Sequence, residues 1–254
     1  MTATYDHTGR HVLITGGTKG IGAGLAAAFA AAGATVTVCA RTPPPTSGTA
    51  GAQPLPGQVG FVRGDVRDAE DVERLVSGLP RLDVLINNAG GAPYAPLAGT
   101  SPRLHTKIVE LNLIAPMLLS QRAYPLLAAS RGAVIMIGSS SGTRPSPGTA
   151  AYGAAKAGLH HLAACLAAEW APEVRVNTVV VGLAATENAA EHYGGAVDRV
   201  SATIPAGRMA RPEDVAEACL WLAAPGYVTG AQIQVHGGGE TPAWTWLTSA
   251  EISR

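Results

Sequence analysis

Residues 12–22 read Val-Leu-Ile-Thr-Gly-Gly-Thr-Lys-Gly-Ile-Gly, and the order of these residues decides the fold. Three apolar residues at 12–14 make a short buried strand, and the run stops at a glycine-rich turn. An apolar helical pattern follows over 21–32, and Gly33 closes it as a C-terminal cap. Strand, glycine turn and helix in that order make an anion cradle. The glycines let the backbone approach a pyrophosphate, and the helix start offers free N–H groups and a positive dipole end. The reading is a dinucleotide-binding turn with the spacing G-x-x-x-G-x-G rather than G-x-G-x-x-G.

The rest of the chain repeats the same rhythm. The β-branched run at 35–39 (TVTVC) suits a second strand, and further strands fit 59–62, 84–86, 133–137, 174–180 and 233–235. Helical patterns lie over 68–76, 102–127, 150–170 and 212–222. Pro212 occupies a first-turn position, with Glu213 and Asp214 complementing the helix dipole. Strands alternating with helices predict an α/β fold: a single-domain, doubly wound (Rossmann) parallel sheet with helices on both faces, spanning 1–254. One segment breaks the rhythm. Residues 42–57 (TPPPTSGTAGAQPLPG) hold five prolines and three glycines, so an irregular loop is expected where a helix would otherwise join the second and third strands.

Bulk properties narrow the function classes. Eighteen basic residues balance eighteen acidic ones with no run of either sign, which leaves no electrostatic footprint for a nucleic acid. No apolar stretch is long enough for a membrane span, and the first residues lack a secretory pattern. Cys39, Cys165 and Cys219 sit among apolar neighbours and read as buried thiols. A soluble, cytoplasmic protein is the simplest expectation.

Chemistry enters at Tyr-Gly-Ala-Ala-Lys, residues 152–156. On a helix this spacing stacks Tyr152 and Lys156 on one face, one turn apart. A lysine cation at roughly 5 Å favours the phenolate by about 3 kcal/mol at an effective dielectric near 20, lowering the phenol by roughly two pH units. That suits general acid–base catalysis.

Four motifs in order, TGGTKGIG at 15–22, NNAG at 87–90, Ser139, and YGAAK, resemble the short-chain dehydrogenase/reductase family, with Ser139 thirteen residues before Tyr152. The resemblance covers about 10–239. It implies a carbonyl reduction or its reverse, with Tyr152 as general acid or base and Ser139 hydrogen-bonding the carbonyl oxygen; Ser140 is the nearest competitor for that role. Lys156 would lower the Tyr152 pKa and hold the nicotinamide ribose, and Asn112 would hold a proton-relay water. Gly16, Thr18, Lys19, Gly20, Ile21 and Gly22 would cradle the cofactor. Asp65 and Val66 would contact adenine, Asn88, Ala89 and Gly90 would line the site, and Gly182 and Thr186 would reach the nicotinamide end. Val181 stands where the family usually has proline, and His236 where it usually has aspartate.

An acid at the end of the second strand selects NAD through the ribose 2′-hydroxyl. That position is Ala40 here, followed by Arg41, with Lys19 on the same side. Both cations favour a 2′-phosphate, so NADP(H) is the expected cofactor. No catalytic metal is expected, because His160 and His161 lack partners at metal spacing. Residues 183–205 resemble the family's substrate lid, and Tyr94, His192 and Tyr193 are candidate substrate contacts. Trp244 and Trp246, in the tail 240–254, would pack on the same subunit or on a neighbour in a homo-oligomer, by resemblance a tetramer or a dimer. The substrate would be a small carbonyl compound or alcohol. A 3-oxoacyl carrier-protein reductase shares every motif, but would want a basic patch from Arg103, Arg144 and Arg208. Nucleotide-sugar epimerases space the glycine turn differently, and enoyl reductases space their Tyr and Lys wider. A dinucleotide sensor without turnover would commonly lack Tyr or Lys.

Overall fold

Seven strands, all parallel, form one sheet in the order β3-β2-β1-β4-β5-β6-β7. They are β1 (His11–Thr15), β2 (Thr35–Ala40), β3 (Val59–Arg63), β4 (Val84–Asn87), β5 (Ala133–Ser139), β6 (Arg175–Val181) and β7 (Gln232–Val235). This computed structural model describes residues 4–44, 56, 59–187, 189 and 195–241. Most of the proline-rich segment 42–57, together with His192, Tyr193, Trp244 and Trp246, lies outside the described residues.

Helices join the strands across both faces: α1 (Gly20–Ala31), α2 (Ala69–Ser77), α3 (Pro102–Val109), α4 (Ala115–Ser130), α5 (Ala150–Trp170), α6 (Val197–Ala202) and α7 (Pro212–Ala223). The alternation of side chains along each strand explains the two cores. Val12 and Ile14 face α1 and α7, packing with Leu25, Phe29, Val215 and Cys219. Leu13 faces the other side and packs with Leu119, Leu127, Leu159 and Val176 on the layer built by α2, α4, α5 and the sheet. Central strands bury both faces, whereas the edge strands β3 and β7 are partly exposed. The α1–α7 contact is close: a Cβ on Gly24 would lie 2.3 Å from the Pro212 Cβ.

The helix expected over 102–127 is not one continuous α-helix. A π-helical turn, Glu110–Ile114, separates α3 from α4. Pro116 has no N–H to return to the preceding turn, and the Asn112 amide Nδ2 takes the Ile108 carbonyl at 2.9 Å, so the i to i−4 ladder is interrupted. No helix among the described residues is long and apolar enough to cross a membrane. Cys39 and Cys219 are buried as expected, but Cys165 is only half-buried.

Candidate active site

The chain leaves β1 toward β2 and β3, then returns to β4 on the other side of β1. In an open parallel sheet such a reversal is where ligands bind, beyond the carboxyl ends of the strands. The sequence candidates gather on that edge: Gly16 follows β1, Arg41 follows β2, Asp65 follows β3, Asn88 follows β4, Ser139 ends β5 and Gly182 follows β6. Tyr152 and Lys156 enter from the first turns of α5.

Ser139 is extended and its Oγ accepts the Ser141 N–H at 3.2 Å. With that lone pair engaged, its own proton is free to be donated elsewhere. The Tyr152 phenol is raised above its ordinary pKa because burial penalises the phenolate, and the Ser139 hydroxyl pulls the other way. Ser139 rather than Ser140 therefore acts on the phenol. The expected lowering of Tyr152 by Lys156 is not what the structure gives. The reason is burial of both partners: Lys156 is itself inside, donates Nζ to the Ile137 carbonyl at 2.9 Å, and stands 5.7 Å from the Tyr152 ring centroid. Desolvation pushes Lys156 down to about 8.

Asn112 is fully buried in the π-helical turn. Its Nδ2 donates to the carbonyls of Gly91 and Ile108, and its Oδ1 accepts the Gly91 N–H, each at 2.9 Å. The side chain holds the turn after β4. Gly90 lies between this residue and the lysine: a Cβ there would be 2.7 Å from Asn112 Oδ1 and 3.2 Å from Lys156 Nζ. Asn88 clamps the opposite wall, its Nδ2 reaching the Thr15 carbonyl at 2.8 Å and the Gly16 carbonyl at 3.2 Å. The Ala89 N–H donates to Thr15 Oγ1 at 2.9 Å.

The glycine turn is closed to side chains and open to a ligand's approach by backbone. Gly16 and Gly20 have φ of +65° and +54°, and a Cβ on Gly22 would lie 2.2 Å from the Gly16 oxygen. Thr18 is buried, Ile21 half-buried, and Lys19 stands exposed as the residue preceding α1. One carboxylate oxygen already occupies this positive end, because the Gly20 N–H donates to Glu187 Oε1 at 3.1 Å. The donor set thus fits a phosphate group. Arg41 is exposed after β2 and near enough to Asp65 to help lower its carboxyl, although Arg67 dominates with bonds of 2.6 and 3.0 Å. Val66 is half-buried beside the second core. Thr186 faces Gly20, and Gly182 packs under His236. Tyr94 is 77% exposed and lies over Gly148, so the described residues do not enclose it in a pocket.

Residues 16–240 match a family model described as enoyl-(acyl carrier protein) reductase. The chain belongs to the short-chain dehydrogenase/reductase family. The family makes it an oxidoreductase. An L-fucose dehydrogenase of Oryctolagus cuniculus is 35% identical over 259 residues, covering 94% of this chain and 88% of that protein. The 3-oxoacyl-acyl-carrier-protein reductase of rhamnolipid biosynthesis from Pseudomonas aeruginosa is 35% identical over 254 residues, covering 94% and 99%. A solved RhlG/NADP active-site complex from Pseudomonas aeruginosa superposes with a TM-score of 0.81 at 30% identity, covering 94% and 99%. A solved short-chain dehydrogenase/reductase family protein superposes at 0.82 with 34% identity, covering 91% and 97%.

In this family member, sequence reasoning missed Glu187 and His160. The sequence signal for His160 is its place four residues after Lys156 on the same helix face; the room its ring fills between Gly138 and Gly142 comes only from the fold.

Proposed function

We propose that this chain is an NADP(H)-dependent carbonyl reductase working reversibly on a small ketone or aldehyde within a single catalytic domain. The observation that carries the reading is the convergence of Ser139, Tyr152 and buried Lys156 beside the glycine turn. When bound, the reduced nicotinamide supplies the hydride. Ser139 donates a hydrogen bond to the carbonyl oxygen and fixes its direction. Tyr152 gives that oxygen its proton as the carbon accepts hydride, and solvent restores the phenol. Lys156 and Asn112 hold the surrounding turn and supply the cationic, water-poor setting.

Arg41 and Lys19, with Ala40 in place of an acid, support the 2′-phosphate and hence NADP(H). Steady-state kinetics with both cofactors test this. Wild type should prefer NADPH, and Arg41→Ala should raise KM for NADPH about ten- to hundredfold, the worth of one charge-assisted bond. NADH use should hardly change. Equal or better kcat/KM with NADH in the wild type would sink the assignment.

Glu187 competes for the phosphate site. Glu187→Gln removes an anion from the place a phosphate takes, so its Kd for NADP+ should fall about three- to tenfold in a calorimetric titration. An unchanged or weaker Kd contradicts this.

The pH dependence follows from the raised phenol. Reduction needs Tyr152 protonated, so kcat/KM for reduction should stay flat through neutrality and fall only in alkali. Oxidation needs the phenolate and should rise about tenfold per pH unit over the same neutral range.

Of the two relatives named above, one is a 3-oxoacyl reductase and the other a sugar dehydrogenase. Arg144 is paired with Glu240 and Arg208 with Asp214, which weakens the basic patch that docking of an acidic carrier would want. The Tyr152–Lys156 spacing of four residues also favours carbonyl over enoyl reduction. A homo-oligomer belongs to this reading, and size-exclusion with light scattering checks it.

A further inference from the structure

The β4–β5 ladder ends at the pair Asn87–Met136, three residues before β5 itself ends. Beyond it, two main-chain groups of β5 are taken by side chains one turn apart on α5. The Ile137 carbonyl accepts Lys156 Nζ at 2.9 Å, and the Ser139 N–H donates to His160 Nε2 at 3.2 Å. These two pins straddle Gly138. The imidazole is 4% exposed and fitted closely: a Cβ on Gly138 would lie 2.3 Å from Nε2, and one on Gly142 2.8 Å from Cε1.

We propose that His160 is a positioning residue for carbonyl reduction, holding the Ser139 main chain so that its hydroxyl meets the substrate oxygen. The proposal rests on the reading of Ser139 as the group that binds that oxygen. An N–H cannot donate to a protonated nitrogen, so Nε2 must be bare and the neutral ring must carry its proton on Nδ1. Burial and the nearby Lys156 cation hold His160 down to about 4, so it stays an acceptor throughout the neutral range. Without it, the Ser139 N–H is buried unpaired, and Lys156 alone holds the end of β5 on the β4 side, the other side being paired with β6 through Ser139–Val181. A displacement of the hydroxyl by about 1 Å costs on the order of a hundredfold in turnover. The Ser141 N–H that orients Ser139 Oγ belongs to the same 3-10 turn, Ser140–Gly142, against which the ring packs.

The test compares wild type with Ser139→Ala, His160→Leu, His160→Asn and His160→Gln, using NADPH with acetoacetyl-coenzyme A and a ketone panel. Gln reaches as far as Nε2 and can accept the bond; Asn is too short and Leu cannot accept. The expected result is that Ser139→Ala, His160→Leu and His160→Asn each lose about a hundredfold in kcat while KM for NADPH stays within about twofold. His160→Gln should recover to within about fivefold of wild type. Normal kcat in both Leu and Asn variants, with Ser139→Ala impaired, overturns the role of His160 and leaves the proposed function standing. Normal kcat in Ser139→Ala overturns both. Equal loss in Gln and Leu also overturns the role, since it shows a packing defect only. If the Leu variant does not fold, the Asn and Gln pair decides. Nitrogen-15 spectra of histidine-labelled wild type give a reading independent of turnover: Nε2 of His160 should be unprotonated at pH 7, and a protonated Nε2 overturns the proposal.

Discussion

Tyr152→Phe is expected to lower kcat for ketone reduction by about a thousandfold while leaving NADP+ affinity nearly unchanged, because a positioned acid contributes about 10²- to 10⁴-fold. The substitution removes one oxygen and keeps the ring that stands 5.7 Å from Lys156 Nζ. The phenol is poised as an acid: burial raises it, and the Ser139 hydroxyl only partly offsets that shift. A raised phenol retains its proton at neutral pH, so every enzyme molecule starts ready to protonate the carbonyl oxygen. Residual turnover would come from the Ser139 hydrogen bond and from holding the reactants together. Rapid mixing with NADPH and the best ketone, beside a cofactor titration, separates chemistry from binding. Unchanged kcat in this variant would remove Tyr152 from the mechanism.

Lys156→Met should abolish most turnover and yet stabilise the protein at neutral pH. Burial lowers the ammonium from 10.5 to about 8, and a shift of this size costs about 3 kcal/mol of folding free energy while the group is charged. Methionine fills a similar volume without charge. It forfeits the bond to the Ile137 carbonyl, which costs about 1–2 kcal/mol. The balance favours the variant by about 1–2 kcal/mol at pH 7, or a rise in Tm of a few degrees. The sign with pH follows from linkage. The folded-state pKa lies below the unfolded one, so the wild type carries the full penalty below pH 8 and sheds it as pH rises toward 10.5. The Tm advantage of Lys156→Met should therefore shrink above pH 8 and reverse near pH 10. The difference between the two proteins cancels other alkaline titrations, such as the raised thiols of Cys39 and Cys219. A variant that is less stable than wild type at pH 7 would contradict the buried-charge account.

The sequence carried the sheet because buried strands and glycine turns are local signals. Residues 12–22 contain the strand, the turn and the helix start in one window, and each is dictated by side-chain type at that position. The relation of Tyr152 to Lys156 was legible as spacing but not as electrostatics. Whether a helix face is wet depends on what packs across it, here β5 and the turn at Gly90–Gly91, and neither lies near residues 152–156 in the chain. The π-helical turn at Glu110–Ile114 escaped notice for a similar reason. Its causes are a side-chain bond from Asn112 and the missing N–H of Pro116, which leave the apolar period of a helix undisturbed. In the sequence His160 stands out only as a histidine without the partners a metal site needs. Its function as an acceptor needs the end of β4 to fall short of Ser139, a fact of register rather than of composition.

The most direct test of carbonyl reduction follows the hydrogen itself. NADPH carrying deuterium at both C4 positions is incubated with the enzyme and its best ketone in ordinary water, and the alcohol is examined by mass spectrometry and NMR. The account predicts one deuterium on the carbinol carbon of each product molecule, with the hydroxyl hydrogen drawn from solvent through Tyr152. An alcohol formed without deuterium on that carbon would contradict it.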